Sequence, residues 1–140
     1  MLDESSTTAR ILVVDDWDVN VRLLEGVLAQ AGYANVRGTT EPEKTVDQCE
    51  AFDPDLIVLD LQMPRVDGFA ILEQLKAHTP VGTYRPVLVL TADVTPATRR
   101  RALTSGASEF LTKPLDVQEL LQRVELLLDR RRWNRALAPS

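Results

Sequence analysis

Three carboxylates, Asp15, Asp16 and Asp18, crowd into four positions directly after the apolar run Ile11 to Val14. Like charges 4 Å apart repel by roughly 1 kcal/mol in water and by about four times as much where the effective dielectric falls to ~20, so the sequence calls for a compensating cation. Asp60 follows a second such run, Leu56 to Leu59, and Thr91 a third, Val87 to Leu90. Lys113 follows the short stretch EFLT at 109–112. Oxygen ligands from two such places suit a hard divalent cation such as Mg²⁺ (or Mn²⁺), which takes one or two carboxylates, keeps several waters and completes its octahedron with phosphate oxygens. The formal charges are −3 from Asp15, Asp16 and Asp60, +1 from Lys113 and +2 from the metal, which sum to zero.

Apolar runs without alternation are expected of parallel strands covered on both faces. The three strong runs therefore read as central strands, and the mixed stretches ANVRG (34–38) and EFLT (109–112) as edges, giving five strands. Helical patterns lie between them. Leu24, Val27, Leu28 and Ala31 recur at i, i+3, i+4, i+7; Phe69, Leu72 and Leu75 mark a helix after Gly68; Val117, Leu120, Leu121, Val124 and Leu128 form the last stripe. TEPE at 40–43 resembles a capping box, and TPAT at 95–98 places Pro96 at the first position of a helix capped by Thr95. That helix offers only Ala97, Ala102 and Leu103 as apolar contacts, so it is expected to be weakly anchored and mobile. Strands alternating with helices imply right-handed crossovers and a parallel α/β sheet. In such sheets ligands bind outside the carboxyl ends of the strands, where Asp15, Asp16, Asp60, Thr91 and Lys113 all fall.

The chain of 140 residues fits one domain, and its 44% hydrophobic and 26% charged content is that of an ordinary globular protein. No apolar run reaches the ~18 residues of a membrane span, and Met1 to Ala9 lacks the apolar centre of a secretory signal. The single cysteine, Cys49, lies in a helical pattern and reads as a buried structural thiol, which fits a cytoplasmic location. Sixteen basic against 21 acidic residues give a net charge of −5, which argues against direct nucleic-acid binding. The segment DRRRWNR at 129–135 departs from this balance; it reads as a solvated helix end favoured by the helix dipole, or else as a helix for a partner or linker.

VVDD at 13–16, LIVLDLQMPRVDG at 56–68, LTA at 90–92 and EFLTKP at 109–114 together resemble the receiver domain of two-component response regulators, over about Arg10 to Arg130. The resemblance implies a flavodoxin-like, doubly wound (βα)5 fold with strand order 2-1-3-4-5. It implies that Asp60 accepts a phosphoryl group from a phosphohistidine on a histidine kinase or histidine phosphotransfer protein. Asp16 and Asp60 would bind the metal directly, Asp15 through water, and the Gln62 backbone carbonyl would supply a further ligand. Lys113 would pair with the phosphoryl oxygens, Thr91 would donate its hydroxyl to them, and Phe110 would change rotamer with Thr91. Lys113-Pro114 would be a cis peptide. The output would be a rearrangement of the fourth helix, fifth strand and fifth helix, a face for a homodimer or an effector domain. On this reading residues 1–9 are a flexible N-terminal segment, 10–130 the receiver domain, and 131–140 a basic extension or linker start that contributes to partner binding or dimerisation. The domain would promote its own phosphorylation and slow dephosphorylation without being a turnover enzyme.

Asp67-Gly68 reads as a turn and helix start, Asp18 and Asn20 as caps or solvent residues, His78 as a surface residue, and Trp17 as a partly exposed loop residue. Gln62 and Asp93, two positions after Asp60 and Thr91, are expected to influence the lifetime of a phosphorylated Asp60. A metal-dependent phosphatase resembling the haloacid dehalogenase group needs an acid two residues after the nucleophile, and DLQ has Gln62 there. The remaining alternative is a pseudo-receiver that binds partners without phosphorylation, against which the intact Asp16, Asp60, Thr91 and Lys113 argue.

Overall fold

The three unbroken apolar runs become β1 (Arg10–Val14), β3 (Leu56–Asp60) and β4 (Val87–Thr91) in the computed structural model, which describes residues 8–137. The polar stretches become β2 (Asn35–Thr39) and β5 (Glu109–Thr112) at the two edges, giving a parallel sheet of order β2-β1-β3-β4-β5. Five helices cover it: α1 (Asp18–Gln30), α2 (Thr45–Phe52), α3 (Gly68–His78), α4 (Pro96–Ser105) and α5 (Val117–Leu137). Alternate strand residues feed two cores. Ile11, Val13, Leu56, Val58, Leu88 and Leu90 pack on the face covered by α1 and α5. Leu12, Val14, Ile57, Leu59, Val87 and Val89 pack on the face covered by α2, α3 and α4. Each such leucine or isoleucine contributes about 1.5–3 kcal/mol by leaving water, which is what holds the strand ends in place.

The expected flexible segment at 1–9 lies, up to residue 7, outside the described residues, as do residues 138–140. Three local expectations change. The stretch at 40–43 does not form a capping box: the Glu41 N–H donates to Thr39 Oγ1, a short 3₁₀ turn spans Pro42–Lys44, and α2 starts only at Thr45. Pro42, which has no N–H to donate, sits at the start of the 3₁₀ turn. In α5 the buried face is Leu120, Val124, Leu127 and Leu128, while Val117 is half exposed at 49%. In the basic segment Arg130, Trp133 and Arg135 are exposed as a solvated helix end would be, but Arg131 is not. Arg131 lies eleven residues, or three helical turns, beyond Leu120, so the 3.6-residue repeat carries it onto the buried face, where it is 4% exposed. Its Nε donates to Asp55 Oδ1 at 2.9 Å and its guanidinium also reaches Tyr84 O. α5 runs unbroken through residue 130, and Arg131 ties it to Asp55 before β3 and to Tyr84 before β4.

Thr95 caps α4 by accepting from the Thr98 N–H, with Pro96 at the first helical position. Of the three apolar residues expected to anchor this helix only Ala102 is buried; Ala97 is exposed and Leu103 is 47% exposed. Its hold is instead partly cationic: Arg99 lies 4.4 Å from the Phe110 ring centroid and Arg101 3.9 Å from that of Phe69. Gly68 opens α3 at a close approach, because a Cβ there would meet the Leu61 carbonyl oxygen at 2.6 Å. Cys49 is buried in α2, and burial pushes its thiol up to about 11, so it remains protonated and inert at neutral pH.

Candidate functional site

The strand order reverses between β1, whose chain leads outward to β2, and β3 on its other side. The crevice at the carboxyl ends of these two strands is where a doubly wound sheet binds ligands. Registers β1 with β3 and β3 with β4 bring Val14 beside Leu59 and Asp60 beside Leu90, so Asp15 and Asp60 extend from adjacent strands. A groove of about 1070 Å³ opens there, lined by Asp15, Asp16, Asp60, Gln62 and Lys113 together with Trp17, Asn20, Pro114 and other neighbours.

Asp60 is 3% exposed, and its Oδ1 accepts from Lys113 Nζ at 2.9 Å and from the Gln62 N–H at 3.1 Å. Lys113 reaches it because the Lys113 N–H donates to Thr91 O, holding the end of β5 against the end of β4. The Lys113–Pro114 peptide is cis. Asp15 is 1% exposed; Oδ1 accepts from the Trp17 N–H at 3.0 Å and Oδ2 from Asn20 Nδ2 at 3.1 Å. Burial raises the Asp15 pKa, the Asp60 charge adds to the rise, and the hydrogen bonds from Trp17 and Asn20 only partly oppose it. Three carboxylates and one ammonium leave −3 + 1 = −2 at this end of the sheet.

Thr91 and Phe110 stand apart from this groove. Thr91 is 2% exposed and its Oγ1 accepts from the Asp93 N–H at 3.0 Å. Asp93 in turn accepts from the Thr95 N–H at 2.9 Å and from Thr98 Oγ1 at 2.7 Å, bonds that hold its carboxyl below the usual range. A single chain of contacts therefore runs from Thr91 to the first turn of α4. Phe110 is half-buried, paired with Val89 and so two register positions from Thr91 on the neighbouring strand, with Arg99 over its ring.

Asn20 is the residue that the sequence placed wrongly. It neither caps α1 nor faces only solvent; one turn into the helix, it reaches back to Asp15, and a five-residue separation across a loop carries no periodic signal. Asp18 caps nothing and pairs with Arg22 on the surface at 2.9 Å. The Gln62 side chain was also illegible: its Oε1 accepts from the Ala92 N–H at 2.7 Å, across to the loop after β4. Asp67 does cap α3 through the Phe69 N–H, Trp17 is 59% exposed, and His78 is an exposed helix end bonded to Gln74 O.

The donor set is all oxygen. Among the described residues no three His, Cys, Asp or Glu side chains converge closely enough to enclose an ion alone. An all-oxygen set of this kind is the chemistry that a hard divalent cation such as Mg²⁺ takes, with waters completing its shell.

The response regulator receiver domain model matches residues 11–125. Over 120 residues the chain is 42% identical to the response regulator PleD of Caulobacter vibrioides, covering 86% of this chain and 26% of that one. It is 36% identical over 121 residues to the alkaline phosphatase synthesis transcriptional regulatory protein PhoP of Bacillus subtilis, covering 86% of this chain and 49% of the other. The chain thus spans between a quarter and a half of these relatives. Among solved structures it is similar to the signal receiver domain of a signal transduction histidine kinase from Syntrophus aciditrophicus, at TM-score 0.77 and 32% identity, covering 88% and 92% of the two chains. A response regulator signal receiver domain from Bermanella marisrubri superposes at TM-score 0.76 with 30% identity, covering 86% and 98%. With the fold, the strand order and the family match in agreement, the chain belongs to the receiver domain family of two-component response regulators.

Proposed function

We propose that this receiver domain is a phosphorylation-dependent switch in which Asp60 takes a phosphoryl group from a phosphohistidine on a histidine kinase or histidine phosphotransfer protein. The observation that carries the reading is Lys113 Nζ at 2.9 Å from the buried Asp60 carboxylate, beside Asp15, at the switch point of the sheet. Lys113 and the Gln62 N–H hold one oxygen of Asp60, and the other is the nucleophile. It forms the new O–P bond as the P–N bond to the donor imidazole breaks, and the electron pair stays on that nitrogen. Asp16, Asp60 and the Gln62 carbonyl would hold Mg²⁺, with Asp15 and its Asn20 partner behind them. When bound, the metal neutralises charge on the transferring oxygens. Lys113 moves its charge from the carboxylate to the phosphoryl group without leaving its place.

Thr91 supplies the response. Its hydroxyl can donate to a phosphoryl oxygen, and the Asp93, Thr95 and Thr98 bonds transmit its shift to the start of α4. Moving a two-state equilibrium from 1:99 to 99:1 takes about 5.5 kcal/mol, whereas one charged hydrogen bond supplies about 1.5–3, so Lys113, Thr91 and the metal act jointly. Phe110 and the face of α4, β5 and α5 then change together, altering contacts with an effector domain or a second copy.

The test is intact mass after incubation with Mg²⁺ and acetyl phosphate, beside Asp60→Asn. Addition of one phosphoryl group that needs both Mg²⁺ and Asp60 is the expected result. A folded protein that takes up none is a phosphorylation-independent binding module instead.

A further inference from the structure

A second charged cavity, of about 200 Å³, lies at the other end of the sheet, between the start of β1, the residue before β3 and the last described turns of α5. Arg10, Asp55, Arg131 and Arg135 are among its lining residues. Parallel strands fix its distance from the candidate site: Arg10 and Asp15, or Asp55 and Asp60, are five residues apart, roughly 16 Å at 3.3 Å per residue. It is a separate place with charge of the opposite sign.

Asp55 accepts from the Arg10 backbone N–H at 2.8 Å and from Arg131 Nε at 2.9 Å, and Arg135 Nη1 stands 3.6 Å from the same carboxylate. Asp53 pairs with Arg10 at 3.3 Å and with Arg85 at 2.6 Å. Among the described residues four guanidinium groups, with Arg85 standing beyond the cavity lining, share these two carboxylates, an excess of 4 − 2 = +2 in a chain whose net charge is −5. Arg132, which pairs with Asp129 at the rim, does not enter this count. The crowding is felt by Arg131: burial lowers its pKa, and the charges of Arg135 and Arg85 lower it further against the hold of Asp55. Arg135, 60% exposed in its side chain and too far from Asp55 for a hydrogen bond, can turn toward an incoming group.

We propose that this cavity is an oxyanion site that takes a phosphate group, free or as a phosphate monoester, against Arg10, Arg131 and Arg135. Planar guanidinium forks match tetrahedral oxyanions in geometry and keep their charge at all physiological pH values. An anion of charge −2 cancels the excess of +2, and the concave wall focuses the field on it. The proposal does not rest on the phosphorylation of Asp60.

The experiment is amide chemical-shift titration of the full chain with inorganic phosphate and, separately, glycerol phosphate, in chelator without Mg²⁺ and at ionic strength fixed with chloride. Saturable shifts are expected at Arg10, Asp55 and the last turns of α5. They are expected to weaken at least tenfold in Arg135→Ala and in Arg10→Gln, and to persist in Lys113→Ala. Arg135 is exposed, so its variant folds and decides the matter even where Arg10→Gln does not. Tighter binding of the monoester identifies a phosphorylated small molecule as ligand, and tighter binding of inorganic phosphate identifies the free ion. Shifts that do not saturate, that survive in Arg135→Ala, or that appear only around Lys113 would overturn the proposal.

Discussion

Asp15 is buried with its charge only partly answered, and the sign of its effect follows from that. Its folded pKa lies above the ordinary value near 3.8, chiefly through burial and then through Asp60. A raised carboxyl pKa means that the folded state binds the proton more tightly than the unfolded one. Stability therefore falls as pH rises from the unfolded value through the folded one, and the loss persists at neutral pH. In metal-free buffer at pH 7, Asp15→Asn is expected to raise Tm, and added Mg²⁺ is expected to raise the Tm of the parent protein further and that of the variant less; thermal melts with and without Mg²⁺ check both. Asp55 has the opposite sign. Burial works to raise its pKa, but the Arg10 N–H and the Arg131 bond and charge outweigh it and leave it lowered. Its contribution is present above the unfolded value and disappears as pH falls through the folded one, so Asp55→Asn should flatten the acid limb of the stability curve. Gly68→Ala drives a methyl into the Leu61 carbonyl and is expected to cost roughly 1–3 kcal/mol in chemical denaturation. At this scale the acidic pair, Asp60, Thr91 and Lys113 were visible because each ends a strand-like run. The Asn20 and Gln62 side-chain bonds were not, because they cross loops whose geometry no pattern encodes.

The helices differ in how they are held. α5 buries four aliphatic residues and an ion-paired arginine, whereas α4 buries only Ala102 and Ser105 and leans on ring contacts from Arg99 and Arg101. Hydrogen exchange is expected to be markedly faster in α4 than in the middle of α5. Equal protection would remove the weak-helix argument, and with it the ease of moving this element from Thr91. Thr95→Ala removes the cap and should cost about 1 kcal/mol. Arg131→Ala takes from Asp55 its buried ion-pair partner, leaving the Arg10 N–H and the more distant Arg135, and should cost about 3 kcal/mol, while Arg131→Met with Asp55→Leu should recover much of that. The central strands were legible because they are apolar without interruption, and α4 because its cap and proline are. The docking of Arg131 was hidden because an arginine in a basic run reads as solvated unless its helical phase and a partner 76 residues away are both known.

The described residues build one five-stranded sheet with a core on each face, beside a small antiparallel pairing of Gln62–Met63 with Val66–Asp67. Among the described elements such an arrangement leaves only α4 weakly enough held to melt alone. Trp17 beside the acidic groove and Trp133 on α5 sit near opposite ends of the sheet, at 59% and 69% exposure. Their emission changes should follow one urea transition that coincides with loss of helical circular dichroism. Fold class and strand number came from the alternation of runs, but the order 2-1-3-4-5 came from the family resemblance, since parallel strands with long crossovers carry no local signal of their neighbours.

Thr8 and Arg135 line the same small cavity, so the two ends of the described chain leave the domain side by side, on the end turned away from Asp60. A module that enters and exits at one spot can be spliced into a longer polypeptide, or fused at either terminus, with little distortion of the host and none of its own acidic groove. The same closeness lets a short glycine-serine bridge join the ends so that new termini are cut elsewhere. This geometry gives a physical reason why one fold recurs within relatives of very different length.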